Sequence, residues 1–290
     1  MRSSASAVLA LVGAMVSFQV GASVAKQLMP MIGAPATTGL RLGLSALILV
    51  AMRRPWQALP ARSHLPVLLA YGLSMGTMNF VFYEAIKRIP LGIAVGLEFT
   101  GPLTVALLAS RRRLDFVWLV LAVAGVALLL PLSETSGPLD RVGVGYALAA
   151  GVCWALYIVF GQRAGRAVGA SAATWGVLIG ACEIVPLGLA DAGLAMVAPA
   201  ILPLGIGVAL MSSALPYSLE MMALRQLTAK AYGTLMSLEP ALAALAGLAL
   251  LGEHLSPTQW LGIGAVMAAS IGTLGHERTG GTGEEAEPPL

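Results

Sequence analysis

The chain has 290 residues, of which 58% are hydrophobic and only 11% charged, with a net charge of +3. That is too little polar surface to cover a soluble globule, so the composition excludes an ordinary water-soluble domain. The basic residues sit in short loops between apolar runs, with no basic helix interleaved with aromatics, which argues against a nucleic-acid surface.

A bilayer-spanning helix needs about 20 apolar residues. Ten stretches meet this, predicting spans at 7–25, 33–52, 64–83, 90–109, 115–132, 142–161, 171–190, 200–219, 229–250 and 257–275. The first is too long for a signal peptide and is followed by more spans, so it reads as a mature span. Within it Gln19 lies deep, and Lys26 shares its face seven residues on, near enough to the surface to snorkel. Span two carries Arg41, the one basic residue inside a span. A guanidinium matches a substrate carboxylate. Intramembrane charges usually pair, however, so an ion pair with Glu98, Glu183 or Glu239 is the expected role.

Asn79 and Tyr83 are four apart on span three and share a face. They either recognise the amino and carboxylate groups of an amino acid or hydrogen-bond between helices. Glu84, Lys87 and Arg88 close that span as surface ion pairs. Span four, within IPLGIAVGLEFTGPLTVALLA (89–109), places Glu98 near mid-depth with Pro102 four residues on. A charge there costs roughly 2.5–3.5 kcal/mol on insertion scales, and burial favours the neutral carboxyl. Proline has no N–H, so Pro102 frees the carbonyl of Glu98 itself. Glu98 therefore reads as an ammonium ligand or proton carrier, or as a structural carboxyl bonded to loosened backbone.

In span six, Trp154 and Tyr157 share a face, and Trp154 is too deep for a comfortable interfacial belt. Span seven also carries an acid, Glu183. Gly39/Gly43 in span two and Gly176/Gly180 in span seven are small-residue pairs that permit close packing, within the bundle or between two copies in a homodimer. Span eight carries Pro216 as a helix break, Tyr217 as a cavity candidate and Glu220. Glu220 lies near Arg225 at the span's end and reads as a gate or salt bridge. Glu239 repeats the pattern of Glu98 in span nine, where Pro240 frees the carbonyl of Met236. Glu253 and His254 read as a turn. Cys153 and Cys182 lie in apolar segments and form neither a disulfide framework nor a metal spacing. The histidines never cluster, so no metal, no cofactor and no catalytic residue is expected.

With the N-terminus inside, the cytoplasmic segments hold 12 basic residues: Arg2, Arg53, Arg54, Arg62, Arg111, Arg112, Arg113, Arg163, Arg166, Arg225, Lys230 and Arg278. The outer segments hold four: Lys26, Lys87, Arg88 and Arg141. This imbalance places both termini in the cytoplasm. The halves also align at an offset of 138 residues: MVSFQVG (15–21) on CWALYIV (153–159), AIKRIPLGIAVGL (85–97) on ALRQLTAKAYGTL (223–235), and Pro102 on Pro240. After a four-residue slip Trp118 falls on Trp260. Five spans per repeat is an odd number, so the second repeat enters the membrane inverted, as in secondary transporters. The division expected is 1–137, 138–275 and a disordered cytoplasmic tail at 276–290, whose Gly, Glu and Pro have little to bury.

The segments QVGASVAK (19–26), GAPATTGLRL (33–42), PLGIAVGLEFTGPLTVAL (90–107), CWALYI (153–158), GQRAG (161–165), ALPYSLEMMAL (214–224) and GTLMSLEPALAAL (233–245) carry a family resemblance over nearly the whole chain. The chain resembles the EamA-type members of the drug/metabolite transporter superfamily, and within it the bacterial threonine/homoserine exporters of the inner membrane. The resemblance implies a ten-helix basket with a cavity lined by spans one, three, four, six, eight and nine. It also implies export of small neutral amino acids by proton antiport. The fold expected is thus all-α and integral to the membrane, two inverted five-helix repeats in the drug/metabolite transporter fold. A drug or nucleotide-linked metabolite exporter in the same fold is the alternative, but a phosphorylated substrate calls for several cations and the chain offers one deep arginine. A membrane-embedded enzyme would need an HExxH, paired aspartates or a Ser/His arrangement, none of which occurs. A fixed pore would not need broken helices in both repeats.

Overall fold

The computed structural model describes residues 2–57, 59–109, 115–129, 140–216, 219, 223 and 235–276. Arg111 to Arg113, Tyr217, Glu220, Arg225, Lys230 and Arg278 lie outside them. The described secondary structure is entirely helical. Helix α1 runs Arg2–Arg53, but Gly33 within it has φ 81° and ψ 162°, so it is two helical segments meeting at a turn. Only glycine adopts that backbone freely, and a Cβ at Gly33 would run into the Asp191 carboxylate. The two segments fall on the expected spans one and two.

The remaining α-helices are α2 (Leu65–Arg88), α3 (Leu91–Glu98), α4 (Thr100–Ala109), α5 (Asp115–Leu129), α6 (Arg141–Val168), α7 (Ala172–Ala192), α8 (Leu202–Ala209), α9 (Glu239–Leu251) and α10 (Pro257–His276). Among the described residues four stretches are long and apolar enough to cross a membrane: Ser6–Arg53, Arg62–Arg88, Arg141–Val168 and Ala172–Val197. Shorter apolar helices make up much of the rest, because the chain breaks where prolines disturb it. Span four is α3 and α4, separated at Phe99. Span eight is α8 continued by a wider π-helical turn over Leu210–Ala214, just before Pro216. In span nine a turn at Ser237 and Leu238 precedes α9, which carries Pro240 in its first turn.

Helix α3 is buried along its whole length and anchors the central apolar cluster through Leu91, Ile93 and Leu97. The break after it sits directly on α6. A Cβ on Gly101 would collide with the Gly151 carbonyl, and one on Gly151 would lie 2.9 Å from the carbonyl oxygen of Glu98. The small-residue pairs pack within this chain: Gly39 and Gly43 against Ile184 and Val185 of α7, Gly176 and Gly180 against Tyr71, Gly72 and Gly76 of α2.

One end of the bundle is tied by polar contacts. The Lys26 Nζ lies 2.6 Å from Glu253 Oε1 and donates to the Ile89 carbonyl at 2.9 Å. The other oxygen of Glu253 accepts the N–H of Leu91 at 2.7 Å, at the start of α3. Glu253 is thus more than a turn residue, although Gly252 does end α9 in the left-handed conformation. At the same end Arg88 reaches Asp140 at 3.2 Å, and Asp140 caps α6 by accepting from Val142 N at 2.8 Å. The Val142 N–H chiefly, with help from Arg88, holds the Asp140 carboxyl below its ordinary value. The segments predicted to share one membrane side therefore meet in space. Elsewhere the exterior displays large apolar side chains such as Leu47, Leu69, Val120 and Leu245, a surface suited to lipid rather than water.

Candidate functional site

A cavity of about 260 Å³ opens among the helices. Its polar lining comes from both halves of the chain: Gln19 and Arg41 from α1, Asn79 from α2, Glu98 from α3, Trp154 and Tyr157 from α6, and Glu239 from α9. Seven of the residues singled out in the sequence are therefore brought together. Spans two and seven also contribute, through Arg41, Leu42, Ser45 and Val177, which adds two walls to those the resemblance implies.

Broken helices deliver the carboxylates. Glu98 is the last residue of α3, and Glu239 is the first of α9. A helix N-terminus favours a carboxylate, which suits Glu239. Gln19, 4% exposed, donates from Nε2 to Glu239 Oε1 at 3.4 Å. Glu98 lies within electrostatic range of both Glu239 and Arg41. Phe99, in the break itself, meets Trp154 edge-on with ring centres 5.7 Å apart. Tyr157 stacks on Tyr71 at 5.1 Å. The aromatic wall is thereby keyed to the break in α3–α4.

Arg41 departs from expectation. Among the described residues it forms no ion pair. Its Nη1 donates to Asn79 Oδ1 at 2.9 Å and to the Tyr83 hydroxyl at 3.2 Å, and its Nη2 reaches the Ser212 carbonyl at 3.4 Å. The guanidinium also lies 5.4 Å from the Tyr83 ring centre. An intramembrane cation can be held by neutral dipoles when several converge on it, and that geometry replaces the expected pair. Asn79 is oriented for this because its Nδ2 donates to the Met75 carbonyl at 2.8 Å, turning Oδ1 toward Arg41. Tyr83 is fully buried and stands behind Arg41, outside the cavity lining. Glu183 likewise stays out of the cavity lining; its Oε1 accepts from the Thr77 hydroxyl at 2.7 Å, between α7 and α2.

Two residues absent from the sequence reading belong here. Pro216 has no N–H for the carbonyl four residues back, that of Ser212, nor, in the π-helical register, for that of Met211. Ser212 lends its carbonyl to Arg41, and Ser17 donates to the Met211 carbonyl at 2.6 Å. The signal was legible in the position of Pro216; the partners were not.

Comparison with known proteins completes the picture. The threonine/homoserine exporter RhtA of Escherichia coli (strain K12) is 52% identical over 266 residues, covering 92% of this chain and 90% of that one. RhtA of Salmonella typhimurium (strain LT2) is 53% identical over the same shares. The profile of the EamA-like transporter family matches residues 141–275. The chain belongs to the EamA-like transporter family. As a member it is a multi-pass membrane transporter and not an enzyme. The transporter YwfM of Bacillus subtilis (strain 168) is 30% identical over 237 residues, or 76% of this chain and 77% of that one. A crystal structure 17% identical superposes with a TM-score of 0.54 over 94% of this chain and 97% of its own, and speaks to the fold alone.

Proposed function

We propose that this transporter is a secondary exporter of small neutral amino acids, threonine and homoserine among them, acting by proton antiport and alternating access in a bacterial inner membrane. The observation that carries this reading is a small cavity in which Glu98, Glu239, Gln19 and Arg41 converge. Drug-sized ligands occupy pockets of about 300–1,000 Å³, whereas this cavity is about 260 Å³ and carries charges of both signs, as a small zwitterion demands. The near-full-length relatives named as threonine/homoserine exporters supply the substrate class.

The architecture proposed is ten spans in two inverted repeats, 1–137 and 138–275, followed by a cytoplasmic tail. The breaks support it: Phe99 and Ser237 both lie in turns between helical segments, 138 residues apart. The basic-residue imbalance puts both termini in the cytoplasm, so the Lys26–Glu253 end faces outward. Glu98 and Glu239 are the proton-coupling groups. A homodimer would use faces other than the Gly39/Gly43 and Gly176/Gly180 pairs, which are occupied within the chain.

Uptake of labelled threonine, homoserine and a nucleotide sugar into inverted vesicles, with and without a pH gradient, tests this reading. Gradient-driven uptake of the two amino acids alone is expected. Uptake of the nucleotide sugar instead would favour a metabolite exporter, a reading that a cavity with one cation among its described lining residues disfavours.

A further inference from the structure

Among the described lining residues Arg41 is the one positive charge, and the way it is held leaves a particular part of it unengaged. A guanidinium has five N–H donors in a planar fork. Both donors of Nη1 are occupied, one by Asn79 Oδ1 and one by the Tyr83 hydroxyl. One donor of Nη2 makes a long contact of 3.4 Å to the Ser212 carbonyl. The Nε donor is buried and has no hydrogen-bond partner among the described residues. The open donors therefore lie together on the Nε/Nη2 edge, the side of the fork that grips a carboxylate through two parallel bonds.

The charges around it are arranged to match. No described carboxylate pairs with Arg41, although Glu98 and Glu239 line the same cavity. Glu239 is instead turned to Gln19. The cavity thus keeps a cation and its carboxylates apart in a low-dielectric setting, where collapse into an ion pair would be the default. The fixed dipoles that prevent collapse are Asn79, Tyr83 and the carbonyl released by Pro216.

We propose that the Nε/Nη2 edge of Arg41 is the carboxylate subsite of the transporter, so that the protein selects free α-amino acids by gripping their carboxylate. This rests on the reading of the cavity as an amino-acid site and deepens it. The ammonium group then faces Glu98 and Glu239, and the side chain meets the aromatic wall of Trp154 and Tyr157. Asn79 and Tyr83 act as positioning residues, because they hold the guanidinium and not the substrate. A consequence is that analogues keeping the amine and side chain of threonine but lacking its carboxylate are rejected.

The test is competition against labelled threonine uptake in inverted vesicles. The competitors are unlabelled threonine, threoninol, in which a hydroxymethyl group replaces the carboxylate, and 3-hydroxybutyrate, which lacks the amine. In the native protein threoninol should compete at least about a hundredfold more weakly than threonine, because it forfeits two charge-assisted hydrogen bonds to the guanidinium. In Arg41→Gln the apparent KM for threonine should rise and the preference for threonine over threoninol should fall to near unity. Arg41→Lys keeps the charge without the fork and serves if Arg41→Gln does not fold; its preference should fall about tenfold, with the KM affected more than the maximal rate. Protonmotive coupling should survive in Arg41→Lys, which separates this subsite from the coupling carboxylates. Undiminished preference for threonine over threoninol in a folded Arg41 variant would overturn the assignment while leaving the amino-acid reading intact. Absence of threonine and homoserine uptake by the native protein would overturn the amino-acid reading itself. Competition by 3-hydroxybutyrate in the native protein that is lost in Arg41→Gln would support the subsite directly. Equal inhibition of both proteins by 3-hydroxybutyrate would count against it.

Discussion

Glu98 and Glu239 both flank helix breaks but are not repeat mates, since at the offset of 138 residues Glu98 falls on Met236. Glu98 ends a helix that is buried throughout, while Glu239 begins one and already receives a donor from Gln19. A carboxyl at a helix C-terminus lacks the favourable dipole that a carboxylate gains at an N-terminus, typically about 0.3–1 kcal/mol. That asymmetry favours Glu98 as the group that exchanges the proton and Glu239 as the more constant charge. Glu98→Gln, which imitates the protonated form, should insert normally and still exchange threonine between compartments. It should lose accumulation driven by a pH gradient. Vesicle flux measured in exchange and gradient modes decides this. Full coupling in Glu98→Gln with loss in Glu239→Gln would move the proton to the second half. Full coupling in both would make the carboxylates structural.

At the scale of elements, two contacts set how the broken helices are held. The first is the close approach of the α3–α4 break to α6, where Gly101 and Gly151 touch backbone to backbone. Gly101→Ala should destabilise the protein by about 1–3 kcal/mol, the usual cost of overpacking, because the obstructing atom is a carbonyl that cannot rotate away. Gly264→Ala is the control, since a Cβ there meets nothing within 4 Å. Thermal unfolding in detergent compares the two. The second contact is the Lys26–Glu253 bridge, with side chains 21% and 13% exposed. Glu253→Gln removes its charge and weakens the contact to the start of α3, at an expected cost of about 1–3 kcal/mol. Lys26→Met with Glu253→Gln should cost less than the sum of the single changes, and additive losses would mean the two residues act independently.

For the whole molecule, sidedness is the property that connects cavity to export. Gln27 and Arg62 are both exposed and stand on opposite sides of the predicted topology. After removal of Cys153 and Cys182, Gln27→Cys should react with an impermeant thiol reagent in intact cells and Arg62→Cys should not. The reverse pattern would invert the bundle and turn the Lys26–Glu253 end toward the cytoplasm. With the expected pattern, that bridge lies at the outer end of the bundle.

Much of this molecule was legible from local rules. Apolar run length, the deep charges and the prolines beside Glu98 and Glu239 act over a few residues, so the membrane class, the helix breaks and several cavity residues could be read without knowing which helices touch. The halves align by the same kind of local likeness. What the tertiary structure decided is which groups meet. Arg41 was expected beside a carboxylate, but its partners lie 38, 42 and 171 residues away and all present neutral acceptors. Lys26 was expected near the outer surface with no partner named, and the Glu253 that meets it lies 227 residues away. Tyr83 shares a helical face with Asn79, yet one lines the cavity and the other stands behind its arginine. Composition and spacing determine that a charge must be satisfied; only packing determines by what, because the cost of a buried charge depends on every dipole within reach.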